Sequence, residues 1–302
     1  MNPDIYTQVT ERIIADLEQG QLTWQKPWSV GHRDSTTMRP LRHNGTSYGG
    51  INVLMLWSAA IRGGYQSPFW MTFKQAQDLG GHVRRGERGS PVVYANTITK
   101  SERGEDGAEQ EKRFGFMKAY TVFNCDQIEG LDTDFYVGTE PIGRSNNAIA
   151  HADTFISQTG AKVFHGGTRA YYCSATDHIQ VPYRGAFRSS ETYYATLAHE
   201  LVHWTKHRSR LDRNFGQTRR GDQAYAREEL VAELGAAFVC ADLGLNPHRD
   251  INHAAYIQAW LKILKHDRRA IFTAAAHAHR AVQYLHEQAQ KAPCHGPSSP
   301  VA

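Results

Sequence analysis

The chain has 302 residues, 40% of them apolar and 21% charged, with a formal net charge of +4 and a pI near 8.8. This excludes a disordered polyelectrolyte, gives length enough for two domains, and leaves a mild basicity that is compatible with nucleic acid without requiring it. The N-terminus lacks a basic segment followed by an apolar block, and no apolar run approaches the length of a membrane span. A signal peptide and a membrane partner are therefore not expected, and a cytoplasmic location is.

In chain order, Ile5, Val9, Ile13, Ile14 and Leu17 recur at helical spacing and predict an amphipathic opening helix over residues 4–18. After an irregular stretch, "YGGINVLMLWSAAIRGG" predicts a buried helix stopped at Gly63 and Gly64, and "WMTFKQAQDLGG" a short one with its own glycine stop. "SPVVYANTIT" and "FGFMKAYTVFN", rich in β-branched and aromatic residues, flank a polar stretch and predict a β-hairpin with a long exposed tip. Residues 131–144 lack periodicity and carry Gly and Pro, so they are read as a linker between residues 1–130 and 145–290. Beyond it come a helix stopped at Gly160, short strands in "KVFHGG", "AYYCSA" and "HIQVPYR", and helices near 191–207, 224–243, 252–265 and 267–289. Residues 291–302 are expected to be a disordered tail. The expected class is α+β, with a mixed front domain and a mostly helical rear one. The four cysteines, Cys125, Cys173, Cys240 and Cys294, form no CxxC pair and read as buried or incidental thiols.

Chemistry concentrates in "LAHELVHWTKH". His199 and His203 lie one helical turn apart on one face and can share an ion, while Glu200 sits about 100° round, where a carboxylate takes a proton from water at that ion. This is the HExxH arrangement of zinc peptidases. Its apolar neighbours Leu197, Leu201 and Val202 imply burial, and unpaired imidazoles and carboxylates there would cost several kcal/mol. His207 continues the spacing but lies about 12 Å from His199 along a straight helix, too far for one tetrahedral site. Lys206 and Ser209 stand where the metzincin pattern needs Gly and His. A third ligand is expected on "YAREELVAELGAAFVCADLG", where Glu229 and Glu233 share a face with Ala232, Ala236 and Cys240, away from Leu230, Val231, Leu234 and Phe238. Glu229 opens an ExxA step like that of gluzincin-type peptidases and is taken as the ligand. Glu233 is read as orienting a histidine, or as the alternative ligand, and Glu228 as a solvated helix-face charge. Zinc is the expected cofactor, with Mn2+ or Fe2+ as substitutes a His and carboxylate site also accepts. The implied chemistry is amide hydrolysis with Glu200 as general base.

In the front half, residues 24–100 carry ten Lys or Arg against three Asp or Glu, whereas residues 1–130 balance at fifteen against fourteen. Trp24, Trp28, Tyr48 and Trp70 are candidate stacking platforms for single-stranded DNA, and Arg39, Arg42, Lys74, Arg84, Arg85 and Arg88 candidate phosphate contacts.

"LAHELVHWTKHRSRLDR", "YAREELVAELGAAFVCADLG" and "NHAAYIQAWLKILKHDRRAIFTAA", behind "LTWQKPW", "YGGINVLML" and "FWMTFKQAQDLGGHVRRGERG", resemble the ArdC antirestriction proteins of conjugative plasmids along nearly the whole chain. The front half is also similar to the N-terminal part of plasmid-borne primases. The resemblance implies a front domain that binds single-stranded DNA, a zincin-like metallopeptidase rear domain, and protection of incoming plasmid DNA from host restriction. It implies His199, His203 and Glu229 as metal ligands beside Glu200. Two other functions fit the same residues: a non-enzymatic single-strand binder whose metal only staples helices, and a DNA-stimulated metalloprotease acting on DNA-bound proteins. A protein or peptide substrate belongs to the first and third of these.

Overall fold

A computed structural model describes residues 4–20, 22, 24, 38–103, 109–136, 145–216, 222–245 and 254–291. Trp28, the hairpin tip at 104–108, most of the expected linker and the tail beyond 291 lie outside the described residues. The chain divides into two compact units, residues 40–138 and residues 1–39 with 139–302. No helix among the described residues is long and apolar enough to cross a membrane.

The opening helix α1 (Ile5–Glu18) is started by Asp4, whose carboxylate accepts from the Tyr6 and Thr7 amides. It belongs to the unit formed by the rear half, which differs from the expected 1–130 front domain. The physical reason lies in its partners. Tyr6 packs edge-on against Phe272, the Thr10 hydroxyl donates to the Arg268 carbonyl at 2.6 Å, and Glu18 pairs with Lys265.

In the 40–138 unit the described elements are β1 (Leu41–Arg42), α2 (Ile51–Gly63), β2 (Phe69–Met71), α3 (Phe73–Asp78), β3 (His82–Val83), β4 (Ser90–Arg103), β5 (Glu109–Asn124) and β6 (Ile128–Glu129). One sheet runs β1-β2-β5-β4, with β1 parallel to β2 and the other pairs antiparallel. The expected hairpin is thus β4 and β5, and its strands extend into the polar residues that were read as loop. Gly64 ends α2 in the left-handed conformation at φ 67°, where a side chain would be strained. A Thr72 and Gln75 capping box starts α3. Asn52 on α2 clasps the edge strand β4: its amide donates to the Val93 carbonyl and its oxygen accepts from the Val93 amide, both at 2.8 Å, satisfying groups an open edge would leave bare. Met71, Ala76, Cys125, Ile128 and Leu131 form a core cluster with Phe69, Phe123, Phe135 and Tyr136 packed against it. Leu131, Phe135 and Tyr136, at the start of the expected linker, therefore pack into this unit, while residues 132–134 are exposed: Ser67 donates to the Phe135 carbonyl, and the Tyr136 hydroxyl donates to Ile128.

The other unit adds α4 (Ser145–Gln158), the strands β7 (Val163–His165), β8 (Tyr171–Cys173) and β9 (His178–Val181), then α5 (Ser190–Trp204), α6 (Gln223–Asp242), α7 (Ala254–His266) and α8 (Ala270–Lys291). The sheet order is β7-β9-β8, with β9 central, parallel to β7 and antiparallel to β8. Ser189 caps α5 and Asp222 caps α6. α6 is buried on nearly every side, between α5, α7 and α8, its glutamates included. Where α5 and α6 meet, a Cβ built on Gly235 would lie 2.7 Å from the Val202 Cγ2 atom, so only glycine admits this approach.

Candidate metal centre

Among the described residues, the buried acidic, basic and histidine side chains are His199, Glu200, His203, Arg213, Glu228, Glu229 and Glu233. All are contributed by α5, by α6, or by the turn that follows α5. Four carboxylates against one guanidinium leave an excess of negative charge that protonated histidines or a bound cation would offset.

The ligating atoms of His199, His203 and Glu229 lie within 4.8 Å of one another. The two Nε2 atoms are 3.1 Å apart, and the Glu229 carboxylate oxygens lie 3.4 Å from that of His203 and 3.5 Å from that of His199. Ligands at about 2.1 Å from a tetrahedral ion are separated by roughly 3.4 Å. The donor set and its spacing therefore fit a divalent metal ion bound by two imidazoles and a carboxylate.

Carboxylates on α6 hold the remaining ring nitrogens. The His203 Nδ1 atom lies 2.9 Å from Glu228 Oε1, and the His199 Nδ1 atom 3.5 Å from Glu233 Oε2. Such partners orient the rings and raise their basicity as ligands. Glu233 thus sits at the histidine it was read to orient. Glu228 corrects its reading as a solvated charge: it is 4% exposed, because Arg213 receives it. Arg213 donates through Nε at 2.8 Å and Nη2 at 2.9 Å to Glu228, through Nη1 to the Thr205 hydroxyl and through Nη2 to the Val202 carbonyl. It thereby binds the last turn of α5 to α6. Nothing in the local sequence marked Arg213, which follows the helix in an irregular turn. His207, past the end of α5, bonds Ser209 and stays out of the cluster.

The charges are mutually coupled. Burial opposes a charged His203, yet Glu228 and Glu229 outweigh it and raise the imidazole to about 9. Burial likewise opposes the Glu228 anion, but Arg213 and His203 bring it down to about 2. Glu229 is lowered by the two histidines against its own burial. One turn before Glu229, the Tyr225 hydroxyl lies 3.5 Å from that of Tyr256, and burial, Tyr256 and Glu229 all raise its phenol. Tyr193 and Tyr194, read as packing residues, are buried and bond His165 and Asp153.

The front-half candidates separate by burial. Trp24, at 1% exposure, packs against Trp260, Trp70, at 2%, against Tyr65, and Tyr48 is buried beneath Arg42. A base can stack only on an accessible ring face, so these three are core residues and not platforms. Arg39 is likewise engaged, forming a bidentate pair with Asp242 at 2.6 and 2.8 Å. Arg42, Lys74, Arg84, Arg85 and Arg88 are exposed, with Arg84 bonded to Glu87. Among the described residues, the exposed aromatics of this unit are instead Phe73, Tyr94 and Tyr120.

Residues 150–277 match the family described as zincin-like metallopeptidase, which gives the class of the rear domain. Residues 3–123 match the N-terminal domain of the anti-restriction factor ArdC. The chain is 44% identical to the antirestriction protein ArdC from plasmid R388 in its metal-free crystal structure, with a TM-score of 0.79 over 95% of this chain and 98% of that one. The Mn(II)-bound structure of that protein gives 43% identity and 0.77 over 96% and 99%. The uncharacterized protein y4eC of Sinorhizobium fredii is 39% identical over 94% of this chain and 92% of its own. A DNA primase TraC of Escherichia coli is 37% identical over 93% of this chain, which spans only 27% of the primase. The chain belongs to the ArdC family of antirestriction proteins, with a mixed α/β N-terminal domain and a mostly helical zincin-like metallopeptidase domain.

Proposed function

We propose that this protein binds single-stranded DNA through its front domain and protects incoming conjugative plasmid DNA from host restriction in the cytoplasm. Its rear domain hydrolyses peptide bonds at a zinc ion held by His199, His203 and Glu229. The observation that carries the reading is the convergence of those three side chains, with the buried Glu200 next to His199 on the same helix. A divalent ion there supplies polarisation of a carbonyl and acidifies water. Glu200 then receives the proton, Glu228 and Glu233 keep the two rings aimed, and Tyr225 steadies Glu229. Manganese in the R388 relative supports a site that also accepts ions other than zinc.

Presence of the same segment within proteins named DNA primases supports a DNA-bound role. Phosphate contacts fall to Arg42, Lys74, Arg84, Arg85 and Arg88, and the exposed rings of Tyr94 and Tyr120 replace the buried aromatics as stackers. Register supports this: Tyr94 pairs with Lys118 and Val92 with Tyr120, so both tyrosines and the lysine share one face of the hairpin.

The decisive variant is Glu200→Gln, assayed for metal content, for cleavage of casein with and without single-stranded DNA, and for protection of transferred plasmid. Metal content stays at the parental level and cleavage and protection are both lost. Protection at the parental level in this variant would remove proteolysis from the mechanism and leave the DNA-coating role alone.

A further inference from the structure

We propose a second single-strand contact, on the outer face of the β7-β9-β8 sheet of the metallopeptidase domain. The inference rests on the reading of the protein as a single-strand binder and extends it to a unit to which the family match assigns only peptidase character. The register defines the face. Phe164, Gln180 and Tyr171 form one row across the three strands, and His178 with Cys173 forms the next. Side chains alternate along a strand, so Ile179 and Val181, both fully buried, point the other way, on the side against which α5 packs. Phe164 and Tyr171 are 53% and 47% exposed, although large aromatics ordinarily cover core.

The three rings of this face touch. His178 meets Phe164 at 5.2 Å between centroids and Tyr171 at 6.3 Å, edge to face in both cases. The Thr176 hydroxyl fixes the His178 ring through Nδ1 at 2.7 Å. Strands lie about 4.8 Å apart, so Phe164 and Tyr171, two strands from each other, offer ring faces roughly 10 Å apart with a third ring between. Sheets that present aromatics from neighbouring strands stack the unpaired bases of single-stranded nucleic acid in this manner.

Charge selects the occupant. Lys162 and Arg169 precede Phe164 and Tyr171 by two residues each, and both are exposed. The sole carboxylate from residue 161 to 183 is Asp177, which Arg210 and the Tyr172 hydroxyl already engage. Cations beside accessible rings, with no free acid among them, suit a polyanion whose bases are unpaired; a duplex would hide the faces the rings need.

The test measures binding of a fluorescein-labelled oligothymidylate to the full chain by anisotropy across a salt series, for the parent, Phe164→Ala/Tyr171→Ala, Phe164→Tyr and Lys162→Ala/Arg169→Ala. The double alanine variant binds about fivefold or more weaker for each ring lost, while Phe164→Tyr binds like the parent. The charge variant lowers the salt slope by roughly 1.4. Metal content stays parental in all three, and melting shifts by no more than a few degrees in the double alanine variant, whose half-exposed rings leave only their contacts with His178. Parental affinity in the double alanine variant overturns this contact alone, and so does an equal loss of duplex binding. A parent that binds no oligothymidylate overturns the single-strand reading and this inference together.

Discussion

Between α5 and α6, seven acidic, basic or histidine side chains are buried together, whereas among the described residues of the 40–138 unit the buried side chains are apolar or, like Asn124 and Gln127, neutral, and Arg42, Arg62, Arg84, Arg85 and Arg88 are exposed. The contrast bears on how a function is read from burial. An aromatic ring gains from burial whether or not it has a task, so Trp70 inside a sheet says nothing about DNA. A carboxylate gains only if something compensates it, so Glu228, Glu229 and Glu233 inside one helix point to a partner.

Substitutions at these two places sharpen the difference. Trp70→Ala should cost about 3–5 kcal/mol in urea unfolding, as a core truncation does, and should weaken DNA binding only by unfolding the chain. Arg213→Ala should cost a similar 3–5 kcal/mol by leaving Glu228 buried without its guanidinium, and should also weaken metal uptake, because Glu228 would no longer hold His203. A Trp70 variant that folds normally yet loses DNA would reverse the comparison.

Gly235→Ala should cost about 1–3 kcal/mol by forcing α5 from α6, and Val202→Ala on the same chain should recover part of it. Parental stability in the single variant would deny the close approach.

Acidity separates the metal-free protein from the loaded one. His203 is raised from 6.5 to about 9 in the fold, so its contribution is complete below pH 6.5 and lost as pH climbs through 9. Glu228 is lowered from 4.5 to about 2, so its contribution is complete above pH 4.5 and lost as pH falls through 2. After chelation, melting temperature should therefore peak between pH 4.5 and 6.5 and decline toward pH 9. With metal restored the alkaline decline should vanish, since the ion replaces the proton on His203. The smallest effect belongs to Arg85→Ala, within about 0.5 kcal/mol in stability, with weaker single-strand binding and a shallower salt slope.

Much of the centre was legible in the sequence because helical spacing is a strict geometric constraint. His199, Glu200 and His203 declare a shared face at once, and Glu229 and Glu233 stand out by the small residues beside them. Arg213 and Glu228 were not legible, since their meeting is made by a turn of no fixed period and joins residues fifteen apart. Trp24, Tyr48 and Trp70 misled for a different reason: composition cannot distinguish a ring that stacks from one that packs, and only strand order and helix docking decide. The docking of α1 onto α7 and α8 was hidden likewise, because an amphipathic stripe announces a partner without saying which.

Both histidines come from α5, while Glu228, Glu229 and Glu233 all come from α6. Neither helix by itself owns the full donor set, so an ion bound there would be a rivet through two plates. Arg213 and the Gly235–Val202 approach already fasten the plates without it, so the frame stands ready before the rivet is set.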